Sequence, residues 1–176
     1  MLEPKQIQLS TRRDDRGALT EIFRENWPDC SSSVQWNLIR SEANVLRGMH
    51  VHVSRIDYLV VLQGHVHVAM CDLRKPAVER RSGTIVELSG ENPSALMIPT
   101  GVAHGFYFRE AASLVYGMTH YWDPVNDEFG CQWTDEALGV PWPAECVAPL
   151  LSPRDEAAGS LDELLATLRN LEHRSW

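Results

Sequence analysis

Two short segments of the sequence hold most of the side chains that can transfer a proton near neutral pH. The first contains His50 and His52, one residue apart, followed by Asp57. The second, residues 99–105, is a tight turn that leads into a strand carrying His104. Imidazole titrates near neutral pH, so both segments could serve general acid-base chemistry. Alternate residues of a strand point to one face, and we therefore expect His50 and His52 to project together, into the interior if the strands close into a barrel.

The elements that must position these segments are mainly short strands. Runs rich in Val, Ile, Leu and aromatic residues alternate with turn-forming residues, which is typical of an all-β sandwich or barrel. Strands are expected at residues 34–39, 58–62, 65–71, 84–88, 95–98 and 113–118.

Only the C-terminal part indicates a helix. Five leucines follow helical spacing, and Ser160 with Glu163 forms a plausible capping box. We expect a helical appendage over residues 156–173 that packs on the barrel. The leucines are Leu161, Leu164, Leu165, Leu168 and Leu171.

Length and charge narrow the class of protein. The 176 residues suit one domain, covering residues 1–176, with a hydrophobic core that needs no disulfide or metal to hold it together. The 16 basic and 24 acidic residues give a net charge of -8, which argues against nucleic acid or an anionic membrane as the general partner. The N-terminus lacks the pattern of a signal peptide, and no apolar run reaches the roughly 20 residues of a membrane helix, so we expect a cytoplasmic protein.

The spacing of the two histidine segments resembles the two motifs of the cupin superfamily. HxH is followed by four residues, an acid, six residues and Gly64, and later by PxGxxH. This resemblance implies a jelly-roll barrel, also called a double-stranded β-helix. In metal-binding cupins three histidines and one carboxylate, usually Glu, hold a divalent ion. The matching positions are His50, His52, Asp57 and His104, a ligand set that suits Fe, Mn, Ni, Zn or Cu without choosing among them.

A longer series of motifs resembles the dTDP-4-dehydrorhamnose 3,5-epimerases. The matches occur in the family's order from residue 15 to residue 155, and include DRG at 15–17, VLRGMH at 45–50, CDLR at 71–74, IPTGVAHGF at 98–106, WTD at 133–135 and LSPRD at 151–155. The resemblance implies inversion at C3, C5 or both in a nucleotide-linked 4-keto-6-deoxyhexose. It also implies a reaction that needs no redox cofactor, and a homodimer that exchanges its N-terminal strands.

The same resemblance assigns roles to individual residues. His50 would remove the proton beside the C4 carbonyl, Asp155 would orient His50, and Tyr116 would return a proton on the opposite face. A carboxylate partner suits such a base, because it fixes the imidazole tautomer and stabilises the protonated ring. The residues that would line the substrate pocket are Arg16, Gln35, Asn37, Arg47, His104 and Glu128.

The sequence departs from the epimerase pattern at two places. Asp57 stands where the epimerases carry a Lys thought to lie near the developing enolate oxygen, and Val51 and His52 replace an aromatic residue and Gln. Both changes complete the cupin metal set, and a divalent ion could replace the lost charge. However, an imidazole nitrogen that binds a metal cannot also accept a proton, so His50 would then not be the base.

Three functions remain open from the sequence. The first is the epimerase described above. The second is a metal-dependent cupin isomerase, lyase or dioxygenase that acts on another small substrate. The third is a non-catalytic cupin that binds a sugar nucleotide.

Overall fold

The computed structural model describes residues 2–27, 32–75 and 82–172, and these residues form twelve strands, one 3₁₀ turn and two helices. The six strands expected from the sequence correspond to β4, β6, β7, β8, β9 and β11, so the prediction of a mainly β fold is confirmed. The strands are β1 (Lys5–Gln8), β2 (Thr11–Asp14), β3 (Gly17–Thr20), β4 (Gln35–Ser41), β5 (Val45–Val51), β6 (Asp57–Gln63), β7 (His65–Asp72), β8 (Thr84–Ser89), β9 (Ser94–Ile98), β10 (Val102–Phe108), β11 (Ala112–Met118) and β12 (Phe129–Gly130). The 3₁₀ turn is Glu136–Leu138, and the helices are α1 (Pro153–Glu156) and α2 (Leu161–Glu172).

Two five-stranded antiparallel sheets enclose the interior. The first has the order β1-β9-β6-β11-β4 and the second the order β12-β5-β10-β7-β8, while β2 and β3 form a separate hairpin. Buried side chains from both sheets meet in one apolar cluster that includes Leu59, Val68, Phe108 and Leu114. β1 pairs with β9 of the same chain. The exchange of N-terminal strands between two copies of the chain stays a prediction.

The inward-facing residues change from apolar to polar along the strands. On β10, Phe108 belongs to the apolar cluster, and His104 lies four residues away on the same face. On β11, Leu114 belongs to the cluster, and Tyr116 follows it two residues later. The period of two in a strand places these residues in a single column. The polar side chains therefore collect at one end of the barrel interior.

The C-terminal helix packs on the outside of the second sheet. Leu161, Leu164 and Leu168 are buried in a cluster with Met49 and Val51 of β5. The predicted capping box is present, because Ser160 N–H donates to Glu163 Oε2 at 2.7 Å and Glu163 N–H donates to Ser160 Oγ at 3.3 Å. This helix begins at Leu161 rather than at residue 156, since the cap at Ser160 fixes its start; residue 173 lies outside the described residues. In the described part of the chain, no helix is both long and apolar enough to cross a membrane.

Gly48 allows β5 and β10 to approach closely. Its φ is +131°, and a Cβ atom there would lie 2.6 Å from Gly105 Cα and 2.8 Å from the His104 carbonyl oxygen. Only glycine fits such a contact without a shift of the backbone. The close approach sets the register in which His50 lies opposite His104.

Candidate active site

His50 and Asp155 form a close pair at the polar end of the barrel. His50 Nε2 lies 2.6 Å from Asp155 Oδ1, with the carboxylate buried and about one fifth of the His50 side chain exposed. A carboxylate accepts hydrogen bonds, so Nε2 carries the proton and the lone pair is on Nδ1. Burial raises the pKa of Asp155, but the hydrogen bond from His50 and its charge outweigh burial, and the net pKa lies below the usual value.

The start of α1 holds Asp155 in place. Ser152 is the N-cap residue, and its Oγ accepts a hydrogen bond from Asp155 N–H at 3.1 Å. Pro153 occupies the first turn, where its fixed φ favours a helix and its missing N–H costs nothing. The local sequence Ser-Pro-Arg-Asp therefore positions a carboxylate against β5, 105 residues earlier in the chain.

His52 enters a different set of contacts. It lies one residue beyond the end of β5, and its Nδ1–H donates to the Asp127 carbonyl oxygen at 2.7 Å. The Asp127 carboxylate accepts hydrogen bonds from Val53 N–H and Ser54 N–H, which fixes this loop. Burial and the nearby charges of His104 and Arg55 hold the pKa of His52 far below its usual value. His52 is therefore neutral, with its lone pair on Nε2.

His104 presents a second lone pair to the same space. Its Nδ1–H donates to the Val102 carbonyl oxygen at 3.1 Å, so Nε2 is unprotonated. Burial lowers the pKa of His104 to about 4. Asp57 Oδ2 lies 3.6 Å from His104 Nε2 and 3.4 Å from His52 Nε2.

Arg55 supplies a buried positive charge among these groups. Only 4% of its side chain is exposed. Its Nε donates to Asp57 Oδ1 at 3.2 Å, and its Nη2 donates to Glu128 Oε1 at 2.5 Å and to His52 Nε2 at 2.9 Å. Arg55 thus ties the first histidine segment to Glu128, the residue just before β12.

The two carboxylates around Arg55 respond differently to burial. Burial raises the pKa of Asp57 to about 7, and the charge of Arg55 opposes this shift only in part. Burial also raises the pKa of Glu128, but hydrogen bonds from Arg154 and Arg55 outweigh it and leave a net pKa below the usual value. Glu128 is therefore ionised at neutral pH, whereas Asp57 titrates close to it.

Tyr116 faces the same interior from the first sheet. It lies opposite Asn37 on β4 and Leu59 on β6. Burial and the charge of Asp57 raise its pKa, while a hydrogen bond with Asn37 opposes the shift. The phenol is therefore protonated at neutral pH. Gln35 continues the polar row, with its Nε2 donating to Asn37 Oδ1 at 3.2 Å.

The two arginines expected to line the pocket lie in more open positions. Arg47 is exposed on β5, opposite Phe106 of β10. Arg16 lies in the turn between β2 and β3, is 90% exposed, and pairs with Asp14. The polar interior thus brings together nine of the eleven predicted site residues, and the binding roles of Arg47 and Arg16 stay predictions.

Comparisons with known proteins agree with this arrangement. A family model of dTDP-4-dehydrorhamnose 3,5-epimerase matches residues 3–163. The chain belongs to the dTDP-4-dehydrorhamnose 3,5-epimerase family. The member of this family from Escherichia coli (strain K12) is 37% identical over 163 aligned positions, which cover 86% of each chain. The member from Salmonella typhimurium (strain LT2) is 38% identical and covers 95% of this chain and 92% of its own length.

Solved structures of deoxysugar epimerases share the fold. The dTDP-6-deoxy-D-glucose-3,5-epimerase of Legionella pneumophila, in complex with dTDP-4-keto-L-rhamnose, has a TM-score of 0.83 at 34% identity, covering 94% of this chain and 91% of that chain. A 3′-monoepimerase of Streptomyces bikiniensis, in complex with dTDP-quinovose, has a TM-score of 0.82 at 26% identity, covering 94% and 87%. The predicted family, the cupin-type fold and the isomerase type of enzyme are therefore confirmed.

Sequence reasoning missed two residues of this epimerase site. Arg55 occupies one of the four unspecified positions of the first cupin motif, although an arginine just before an almost wholly apolar strand, two residues from Asp57, is a recognisable signal. Asp127 acts through its carbonyl oxygen and through hydrogen bonds to loop amides. No residue pattern predicts a contact of that kind.

A metal ion would find three of the four expected ligands together in this epimerase. His52, Asp57 and His104 each offer a ligand atom, and these atoms lie within 4.8 Å of one another. Both imidazoles donate their other N–H to a backbone carbonyl, as histidine ligands usually do. His50 is outside this group and is bonded to Asp155. Arg55 donates hydrogen bonds to His52 Nε2 and to Asp57 Oδ1. These two residues therefore suit a guanidinium as a partner as well as a metal ion.

Proposed function

We propose that this protein inverts C3, C5 or both in a dTDP-linked 4-keto-6-deoxyhexose. Family membership and the dTDP-sugar complexes of similar structures support the substrate class. The observation that carries the proposal is the pair formed by His50 and the buried Asp155, 2.6 Å apart, beside an interior that holds a protonated phenol.

The proposed reaction is two proton transfers through an enolate. His50 Nδ1 takes the proton from the carbon next to the C4 carbonyl, and the electrons of that C–H bond move to the carbonyl oxygen. Asp155 stabilises the imidazolium that forms. Tyr116 then donates its phenolic proton to the opposite face of the same carbon, and the carbonyl is restored. Solvent and buffer return both groups to their starting protonation states.

The decisive test is hydrogen exchange in deuterated water. The purified protein is incubated with dTDP-4-keto-L-rhamnose in D₂O, and deuterium at C3 and C5 is followed by NMR. We expect uptake at one or both carbons, and the position of uptake distinguishes a monoepimerase from a 3,5-epimerase. Binding of dTDP without any uptake would instead support the non-catalytic sugar-nucleotide-binding cupin and reject the epimerase.

The second candidate is a metal-dependent cupin enzyme, which the convergence of three ligand atoms at His52, Asp57 and His104 favours. A divalent ion there would act as a Lewis acid toward a carbonyl oxygen. Elemental analysis of protein prepared without an affinity tag or added metal separates the two candidates. Stoichiometric Fe, Mn, Ni, Zn or Cu that is lost in H52A and D57A would favour the metal enzyme; deuterium uptake by metal-free protein would favour the epimerase without a cofactor.

We also propose that the protein is a cytoplasmic homodimer whose pocket takes Arg16 and Arg47 as further substrate-binding residues. β4 is an edge strand that exposes Trp36 and Leu38, an apolar edge that a second copy could cover. Light scattering coupled to gel filtration should give twice the mass of the chain. A monomeric mass would reject the dimer without affecting the exchange experiment.

A further inference from the structure

Arg55 is held in an unusual state for a cationic side chain. It is buried at the polar end of the interior, and two of its three nitrogens are engaged by Asp57, Glu128 and His52. The third nitrogen, Nη1, is buried and has no hydrogen-bond partner within the described residues. A buried donor without a partner costs free energy, so such an atom is retained where a ligand can accept its hydrogen bond.

The charges around Arg55 define what that ligand should be. A guanidinium is a permanent cation with donors and no acceptor. An oxygen that gains negative charge during a reaction would be stabilised strongly by such a group in a dry site. Without Arg55, the negative charges of Asp57 and Glu128 would repel an oxygen that becomes negative; Arg55 hydrogen-bonds to both carboxylates and opposes this repulsion. The arrangement therefore fits a developing oxyanion.

We propose that Arg55 is a catalytic residue whose Nη1–H donates to the C4 carbonyl oxygen as the enolate forms. This inference rests on the proposed epimerase function and names the electrophile of that reaction. It also explains the acid at position 57, because Asp57 anchors the guanidinium through Nε instead of supplying a positive charge itself. In this chain the positive charge would come from Arg55, two positions before the position where the epimerases carry their Lys.

Removal of the cation should slow the chemistry without weakening nucleotide binding. We expect R55Q to lower kcat for deuterium uptake from dTDP-4-keto-L-rhamnose by about 100- to 1,000-fold, the usual effect of losing an oxyanion donor. The Kd for dTDP alone should change less than about threefold, because dTDP has no C4 ketone to bind Arg55. R109Q is the matched control, since Arg109 is exposed and pairs with Glu145 at the surface; it should match wild type in both measurements.

R55Q takes the hydrogen-bonded cation from the buried Asp57 carboxylate and could unfold, so two paired variants complete the test. R55Q/D57N removes the charge pair together and should be folded but slow. R55Q/D57K places a positive charge at position 57 and should exceed R55Q/D57N at least about tenfold in kcat, as should R55K. Circular dichroism verifies that each variant is folded.

The outcomes separate this inference from the function on which it rests. If wild type takes up no deuterium, the proposed function fails and the role of Arg55 falls with it. If wild type exchanges and R55Q/D57N is equally fast, the function stands and the inference is wrong. The inference is also wrong if R55K and R55Q/D57K are both as slow as R55Q/D57N, because the site would then not need the charge.

Discussion

The two ends of the barrel interior are filled by the same strands but differ in chemistry. At one end Phe108 and Leu114 belong to a fully buried apolar cluster. At the other end His104 and Tyr116, from the same two strands, meet the buried ion pair of Arg55 and Asp57. Apolar burial is favourable by about 25 cal/mol per Å², whereas the burial of charged groups is costly unless each is paired.

We therefore expect stability and activity to depend on different layers of one interior. The apolar end can hold the strands in register and thereby make up for the cost of dehydrating charged groups at the polar end. Changes at the apolar end should therefore affect unfolding, and changes at the polar end should affect the reaction. Three experiments test this separation, and a fourth measures the stability that an ion pair at the end of β7 contributes.

The largest effect is expected at His50. Loss of a general base costs about 100- to 10,000-fold in rate, or about 3–5 kcal/mol in activation free energy. H50N should lose deuterium uptake by this factor, with little change in the free energy of unfolding. The control is H65N, because His65 forms a similar 2.6 Å pair with Glu110 on the surface. Equal rates in H50N and H65N would contradict the special role of the interior pair.

The next effect is expected at the apolar end. L114A should lower the free energy of unfolding by about 2–5 kcal/mol, the usual cost of a leucine-sized cavity. Its kcat, corrected for the folded fraction, should equal that of wild type. L19A serves as the control, since Leu19 is 67% exposed on β3. A fall in corrected kcat comparable to that of H50N would show that the two ends are not separate.

A smaller effect is expected at the cap that positions Asp155. S152A should cost about 1 kcal/mol in stability, as N-cap losses usually do, and should lower kcat several-fold because Asp155 is less firmly held. S160A removes the cap of α2 and should cost a similar stability without changing kcat. Urea unfolding and deuterium uptake measured on both variants make the comparison. If S160A slowed the reaction as much as S152A, local positioning of Asp155 would not be the cause.

The smallest effect is expected at Asp72, which forms a two-point ion pair with Arg74 at the end of β7. Burial raises the pKa of Asp72, but the bonds from Arg74 outweigh it and lower the net pKa below its usual value. The pair should therefore stabilise the protein above about pH 4, and this contribution should vanish as the pH falls through the lowered pKa. D72N should cost less than about 1 kcal/mol at pH 7. The difference between D72N and wild type in the free energy of unfolding, measured with urea, should shrink toward pH 3. A difference that does not change with pH would mean that D72N acts through packing instead of charge.

The sequence predicted the bounds of six of the twelve strands in the described residues, and most of the residues that line the polar end. Alternation along a strand fixes which residues share a face, so the columns that contain His104 and Tyr116 follow from periodicity once the strands are placed. The epimerase resemblance linked Asp155 to His50 across the chain. A single domain was also expected from the length of the chain, and this stays a prediction.

The remaining features depend on geometry that periodicity does not encode. His50 and His52 were expected to project together, yet their rings enter different contacts, because β5 ends at Val51 and the Asp127 carbonyl holds His52. The cupin spacing predicted Asp57 as a metal ligand. Its hydrogen bond with Arg55, two residues earlier, depends on the conformation of the chain just before β6, which strand periodicity does not set.

The long separation between His50 and Asp155 has a consequence for the newly made chain. His50, the proposed base, is synthesised more than 100 residues before its partner Asp155 emerges from the ribosome. A barrel that closes during translation would hold His50 without Asp155, and hence without the group that selects its tautomer. The chain should gain its full reactivity only after the segment that carries Asp155 docks on β5.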